Sequence, residues 1–241
     1  SYIILGAGAS GLLLAYRMSL DSYFDDKSIL IIDQVKDKGN DKTWCYWEEG
    51  EGEWDELLTK KWPKVFFGSK DFTETLDISP YSYKMIRSEK FYHKLWRSIE
   101  LKSNITFVED SVKTYTEIDN RVKVVTNKST YFGLKLLNSI LDKTVYETQQ
   151  KYPVLQQHFV GWFVKTKTDC FDDSIATFMD FNIPQNGNTR FMYVLPIDKN
   201  IALFEYTLFS KDLLEHSEYE EAIKDYLKEK KITDFEILEK E

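Results

Sequence analysis

Residues 2–16 read "YIILGAGASGLLLAY", a short apolar run, a glycine-rich turn and a second apolar stretch with helical spacing. Few other features limit a fold so tightly. In Gly6-Ala7-Gly8-Ala9-Ser10-Gly11, the first glycine permits the tight turn and the second lets a backbone approach a pyrophosphate. The third lets the helix pack closely on the strand. The following helix presents free N–H groups and a positive dipole end to phosphates. A second buried strand, residues 29–32, closes with Asp33. That position, ~22 residues beyond the last glycine, is where an acid accepts ribose hydroxyls of an adenine dinucleotide. An acid there favours an unphosphorylated ribose, hence FAD or NAD over NADP.

The rest of the chain sets limits on what accompanies this module. The 241 residues suffice for one large domain or two modest ones, and 42% hydrophobic with 30% charged residues is a globular balance. A net charge of -8 with no basic patch argues against nucleic acid. Cys45 and Cys170 make no disulfide framework, which points to a reducing, cytoplasmic setting. His93, His158 and His216 are scattered without metal-ligand spacing, so no metal is expected. No Gly-x-Ser-x-Gly elbow occurs, which disfavours a hydrolase. The apolar runs are too short to span a bilayer, and no signal peptide is expected before the first strand.

Along the chain, the tryptophan-rich and acidic stretch 41–63 has few periodic signals and reads as loops with one or two short helices. Strands are expected at 65–67 and 73–78, and a helix capped by Ser88 over 89–101. Strands follow at 105–109, 112–118 and 121–127, the last two joined by an Asp119-Asn120 turn. From about residue 157 the texture changes to four long alternating segments, "HFVGWFVKT", "SIATFMDFNI", "TRFMYVLPI" and "NIALFEYTLF", joined by polar turns. These predict an antiparallel sheet, closed by an amphipathic helix over 217–231. The expected class is therefore α/β: a three-layer, Rossmann-like FAD/NAD(P)-binding domain over 1–140, with an inserted region at 41–80, and an antiparallel-sheet substrate domain over 141–241. The boundary is expected near 139–155.

Two further features bear on a ligand. Arg87, just before the helix, is a candidate contact for the phosphates or ribose of a flavin, or else a surface arginine paired with a carboxylate. Trp44 and Trp47 in "DKTWCYWEE" either wall a pocket or pack under a loop. In "LFEYTLF", period-two geometry sets Glu205 on the face of Ile201, Leu203, Thr207 and Phe209, an odd carboxylate on an apolar face.

Taken in order, "YIILGAGASGLLLAY", "DKTWCYWEE", "SPYSYKMIRSEKFY", "LQQHFVGWFVKT", "FMDFNIPQNGNTRFMYVLPI" and "LFEYTLFS" resemble the flavin-dependent lycopene β-cyclases of carotenoid synthesis. In plant members of that family the last segment reads Phe-Leu-Glu-Glu-Thr, whose first glutamate matches Glu205. The second is Tyr206 here, and no role carries over to it. The resemblance implies a non-redox isomerisation of lycopene to γ-carotene and β-carotene, with Glu205 as acid and base and reduced FAD as cofactor. NADPH is a candidate reductant of the flavin. It implies Gly6, Gly8, Ala9, Ser10, Gly11, Asp33 and Arg87 as cofactor contacts. An apolar polyene pocket would draw on Trp44, Trp47, Trp162, Phe204 and Tyr206. Peripheral attachment to a membrane follows from the insolubility of such a substrate. The family pattern continues beyond "DFEILEKE" with a Gly-Ile-Pro-Met-like segment and a glycine-rich region, so a truncated form is expected. The alternative is a flavin-dependent monooxygenase or isoprenoid reductase of the same fold.

Overall fold

The structure is a computed structural model that describes residues 1–142, 144, 148, 150–152 and 154–241. The described residues fall into two compact units, 1–41 with 88–145 and 42–87 with 146–241. Residues 42–87, placed with the first domain from sequence, thus group with the later strands. The physical reason is pairing: a strand at Lys64–Ser69 joins the second sheet through Ile175–Asp180. Part of the stretch expected to hold the boundary lies outside the described residues.

In the first unit, β1 (Tyr2–Leu5), β2 (Ile29–Asp33), β8 (Ile105–Glu109) and β12 (Lys135–Asn138) form a parallel sheet in the order β12-β1-β2-β8. Helices α1 (Ala9–Leu20) and α2 (Ser88–Ile99) pack against each other, and α1 packs on β1 and β2. An antiparallel meander of β9 (Val112–Ile118), β10 (Arg121–Thr126) and β11 (Thr130–Gly133) covers the other face. There Ile3, Leu5 and Ile32 bury against Val124. Parallel strands buried on both faces read as unbroken apolar runs, which is why β1 and β2 were legible. Asp119 and Asn120 both take positive φ, 49° and 60°, the left-handed pair that a two-residue hairpin turn requires. Ser88 lies inside α2 and its Oγ is within hydrogen-bond distance of Gly39 O and Asp41 Oδ1.

In the second unit, β3 (Thr43–Glu49), β4 (Leu58–Trp62) and β7 (Tyr81–Arg87) form a small antiparallel sheet in the order β3-β7-β4. The stretch 41–63 is therefore strand-rich, not loops with helices. Its one 3₁₀ turn among the described residues is Asp55–Leu57. Trp, Tyr, Thr and Cys suit a pleated, half-buried surface, and pairing with β7 outweighs the weak local pattern.

The large sheet has the order β17-β13-β16-β15-β14-β5-β6. Its strands are β5 (Lys64–Ser69), β6 (Phe72–Asp77), β13 (Gln156–Thr166), β14 (Ile175–Asp180), β15 (Thr189–Asp198), β16 (Ile201–Ser210) and β17 (Phe235–Lys240). All neighbours are antiparallel except β5 and β14. Helix α3 (His216–Glu229) covers one face, where its Tyr219, Ile223, Tyr226 and Leu227 meet Trp162, Phe204 and Tyr206. On the opposite face Phe163, Leu195 and Leu203 bury against Trp62, Tyr83 and Met85 of the small sheet. The large sheet is thus apolar on both sides, and its central strands keep little polar character. No described helix is long and apolar enough to cross a membrane.

Candidate functional site

In the first unit the glycine run sits between β1 and α1. Gly6 has φ +92°, a left-handed conformation that side chains rarely adopt, and a Cβ on Gly11 would fall 1.9 Å from Gly6 O. Both glycines are therefore required by the turn itself. Gly8 differs: a Cβ there meets nothing within 4 Å, although its backbone (φ -79°, ψ -173°) suits any residue. Open space over Gly8 is what a phosphate cradle needs. The N-terminus of α1, including Ala9 and Ser10, carries no acidic residue in its first turn and no side-chain cap, so no side chain of the helix itself neutralises its positive end.

Asp33 ends β2 beside this turn. Its Oδ2 accepts the Ala7 N–H at 2.5 Å, and Oδ1 takes Lys38 Nζ at 2.9 Å and Val35 N–H at 3.1 Å. Burial works to raise the carboxyl, but the Ala7 and Lys38 bonds outweigh it and hold the pKa low. An ionised acceptor stands next to an open glycine cradle, and these residues fit a dinucleotide. Arg87 ends β7 in the second unit. There its guanidinium pairs with Glu239, lies 3.9 Å from Glu241 and stacks 4.3 Å from the Phe163 ring centroid.

The second constellation lies wholly in the second unit. Glu205 sits in the middle of β16, directly opposite Tyr193 of β15 on one side and Gly161 of β13 on the other. Gly161 in turn exchanges two backbone hydrogen bonds with Glu241, 2.8 and 2.9 Å, just beyond β17. Directly paired residues share a sheet face, so Tyr193, Glu205, Gly161 and Glu241 form one transverse row. The row lies on the face covered by the small sheet, and Cys45 and Tyr83 come close enough to interact electrostatically with Glu205. Beside it is an aromatic wall: Phe178 meets Tyr83 edge-on at 5.4 Å, Trp47 at 5.2 Å and Tyr193 at 6.0 Å between centroids.

Burial is the main influence on Glu205 and pushes its pKa up to about 7. The Thr207 hydroxyl, donating to Oε1 at 2.8 Å, opposes this, and the Glu241 carboxylate adds to it. Burial likewise pushes the Cys45 thiol up to about 12, with Tyr83 opposing and both glutamates adding. Tyr193 rises to about 12, again through burial first and then Glu205. Cys45 and Tyr193 are thus neutral at ordinary pH. A carboxyl in such surroundings is a proton donor, and its conjugate base is a competent acceptor.

The residues expected to line a pocket divide between the two faces. Trp47 joins the aromatic wall on the Glu205 side. Trp44 alternates to the other face of β3, opposite Ile86. For Trp162, Phe204 and Tyr206 the expectation is corrected. They occupy the helix-covered face, opposite to Glu205, because residues one apart on a strand point to opposite sides. Phe204 and Trp162 are 1% exposed there, and Tyr206 OH accepts from Arg190 Nη1 at 3.0 Å. A cavity of about 470 Å³ on that side is lined by Phe171, Val194, Phe204 and Tyr226 and is separate from the Glu205 row. The site residues missed from sequence are Tyr193, Tyr83, Phe178, Cys45, Gly161 and Glu241. The signal for Tyr193 was present: the turn at residues 198–200 sets the β15–β16 register and so its partner.

Residues 2–241 match the lycopene cyclase protein family. No curated protein matches the chain. Among solved structures, a geranylgeranyl bacteriochlorophyll reductase-like protein from Thermoplasma acidophilum superposes with a TM-score of 0.70 at 9% identity, over 100% of this chain and 64% of that one. The p-nitrophenol 4-monooxygenase PnpA from Pseudomonas putida DLL-E4 gives 0.70 at 10%, over 100% and 66%. The halogenase PltM in complex with phloroglucinol and FAD gives 0.61 at 9%, over 99% and 58%. At such identities the likeness is one of fold, the flavoprotein fold, and the chain spans about three fifths of the length of these proteins. The family match runs from the glycine turn through the strand that carries Glu205, and the chain belongs to the lycopene cyclase family.

Proposed function

We propose that this chain forms the flavin-binding and acid-bearing part of a lycopene β-cyclase, an isomerase that closes β-ionone rings on lycopene. The observation that carries the reading is Glu205: a half-buried carboxyl, raised to about 7, on a face walled by aromatic rings, within a chain of the lycopene cyclase family. Glu205 in its neutral form donates a proton to a terminal alkene, and the neighbouring alkene attacks the resulting cation. Loss of a ring proton then completes the isomerisation with no net redox change. The apolar walls keep water from the cation, which would otherwise be trapped as an alcohol. Ring faces such as Tyr193 and Trp47 stabilise the positive charge by cation–π attraction.

Gly6, Gly8, Gly11, the α1 N-terminus with Ala9 and Ser10, and Asp33 would hold the FAD pyrophosphate and ribose. Arg87 remains a proposed further contact. When bound, reduced FAD would supply an electron-rich ring system able to stabilise positive charge, with NADPH as the proposed source of its electrons. Peripheral attachment to a membrane would give access to the polyene.

Expression of the complete reading frame in a lycopene-accumulating host tests the reading. β-Carotene or γ-carotene is expected, with at least a ~100-fold loss in Glu205→Gln that retains flavin absorbance. Unchanged cyclisation in that variant overturns the role of Glu205. A second reading, a flavin-dependent oxidoreductase, is favoured by the fold shared with PnpA and the reductase-like protein. It requires substrate-dependent NAD(P)H consumption, one equivalent per product, which a cyclase does not show.

A further inference from the structure

Glu205 is not the only carboxyl in its row. Glu241 lies two strands away on the same face, with Gly161 between them. Because that middle position has no side chain, β13 places no group between the two glutamates, and the space over Gly161 is entered only from its sides. A Cβ on Gly161 would stand 3.0 Å from Glu241 Cγ and 3.1 Å from Leu203 Cδ1, so the Glu241 side chain leans over the glycine towards β16. The Glu241 side chain is 12% exposed. Thr43 Oγ1 donates to its Oε2 at 2.7 Å, and Arg87 Nη1 lies 3.9 Å away.

The two carboxyls therefore have different partners. Glu205 accepts from a neutral hydroxyl and faces Cys45 of β3, Tyr83 of β7 and Tyr193 of β15. Glu241 has a cation and a hydroxyl donor, with Glu239 and Lys42 as further charges around it. Burial raises Glu241 too, but Thr43 and Arg87 oppose the rise. Two carboxyls whose surroundings separate their protonation states divide acid and base roles between them.

We propose that Glu205 and Glu241 act as one acid–base couple across Gly161, Glu205 delivering the proton to the polyene and Glu241 receiving the proton that the ring gives up. The role in ring closure rests on the lycopene reading above; the coupling of the two carboxyls does not. In the first step the Glu205 O–H bond breaks and a C–H bond forms at the terminal alkene. The π pair of the neighbouring alkene forms the ring C–C bond. The ring C–H bond beside the cation then breaks, its electron pair becomes the ring double bond, and the proton passes to a Glu241 carboxylate oxygen. Return of that proton across the gap to Glu205 restores the couple. Atoms balance and no electrons are exchanged.

The test uses the complete, flavin-bearing protein with Glu241→Gln, Glu241→Asp and Glu205→Gln. In the substrate-free protein, the protonated-carboxyl infrared band that Glu205→Gln abolishes is titrated. Its midpoint is expected to fall in Glu241→Gln, where a neighbouring negative charge is lost, and an unchanged midpoint overturns the couple. In D₂O with lycopene, Glu241→Gln is expected to lower cyclisation at least tenfold and to return lycopene carrying deuterium, since protonation still occurs and reverses. Glu241→Asp restores part of the cyclisation, and Glu205→Gln yields neither cyclisation nor deuterium. Wild-type cyclisation in Glu241→Gln, or loss of deuteration together with cyclisation, overturns the division of roles. If the wild type cyclises no lycopene while the infrared midpoint still falls, the lycopene reading is overturned and the couple stands.

Discussion

Tyr193 lies directly across the β15–β16 ladder from Glu205, so a phenol ring and a raised carboxyl occupy adjacent places on one sheet face. This pairing ties the acid to the aromatic wall and separates it from the rings one residue away along its own strand.

The pH dependence of stability follows from the acid's environment. The Glu205 carboxyl is raised from 4.5 to about 7, so the folded protein binds more protons than the unfolded chain between those values. Folding stability is thus unpenalised below 4.5 and falls as pH rises through 7. Replacement by glutamine removes the ionisation cost. Glu205→Gln is expected to be more stable than wild type at pH 8, by up to about 3 kcal/mol, and close to it at pH 5. Urea unfolding at the two values checks this, and an equal difference at both would refute the raised-acid account.

The glycine turn separates structural from ligand-facing glycines. Gly11→Ala drives a Cβ into Gly6 O and is expected to cost more than about 3 kcal/mol. Gly8→Ala meets open space in an allowed conformation and is expected to change flavin-free stability by less than about 1 kcal/mol. It should nevertheless lose retained flavin, read from the absorbance of purified protein. Full flavin retention in Gly8→Ala would remove the turn from the cofactor site.

The two faces of β16 should respond differently to truncation. Phe204→Ala empties the core under α3 and is expected to cost about 3–5 kcal/mol. Among molecules that still fold, the ratio of products should be unchanged. Tyr193→Leu keeps bulk but removes a ring opposite Glu205. A ~3–30-fold loss of cyclisation is expected, the size of a lost cation–π contact. Measured product ratios and thermal unfolding for both variants decide the assignment of faces.

Gly161→Ala places a methyl between the two carboxyls at 3.0 Å from Glu241 Cγ. The methyl also stands 3.1 Å from Cδ1 of the buried Leu203, so both neighbours must shift and a loss of about 1–3 kcal/mol is expected. Cyclisation is expected to fall several-fold, because the displaced carboxylate no longer spans the gap. Wild-type turnover in Gly161→Ala would mean that the gap has no role.

Much of this architecture was legible in the sequence. The glycine run with Asp33 prescribes its strand, turn and helix because left-handed backbone and close approach leave few alternatives to glycine. Period-two alternation located β13, β15 and β16 and put Glu205 on the opposite face from Phe204 and Tyr206. The same rule already excluded those two rings from the acid's face. The stretch 41–63 was not legible, since β3 and β4 are half-buried and take their strand form from pairing with β7. Strand β17 likewise alternates exposed and half-buried positions, a weak signal without its partner β13. Tertiary structure alone brought Cys45, Tyr83, Phe178 and Glu241 to Glu205, from segments far apart in the chain. Local spacing fixes which face a side chain takes. Only the packing of a second sheet onto that face decides what it meets there, and so turns an odd glutamate into a half-buried acid with a raised pKa.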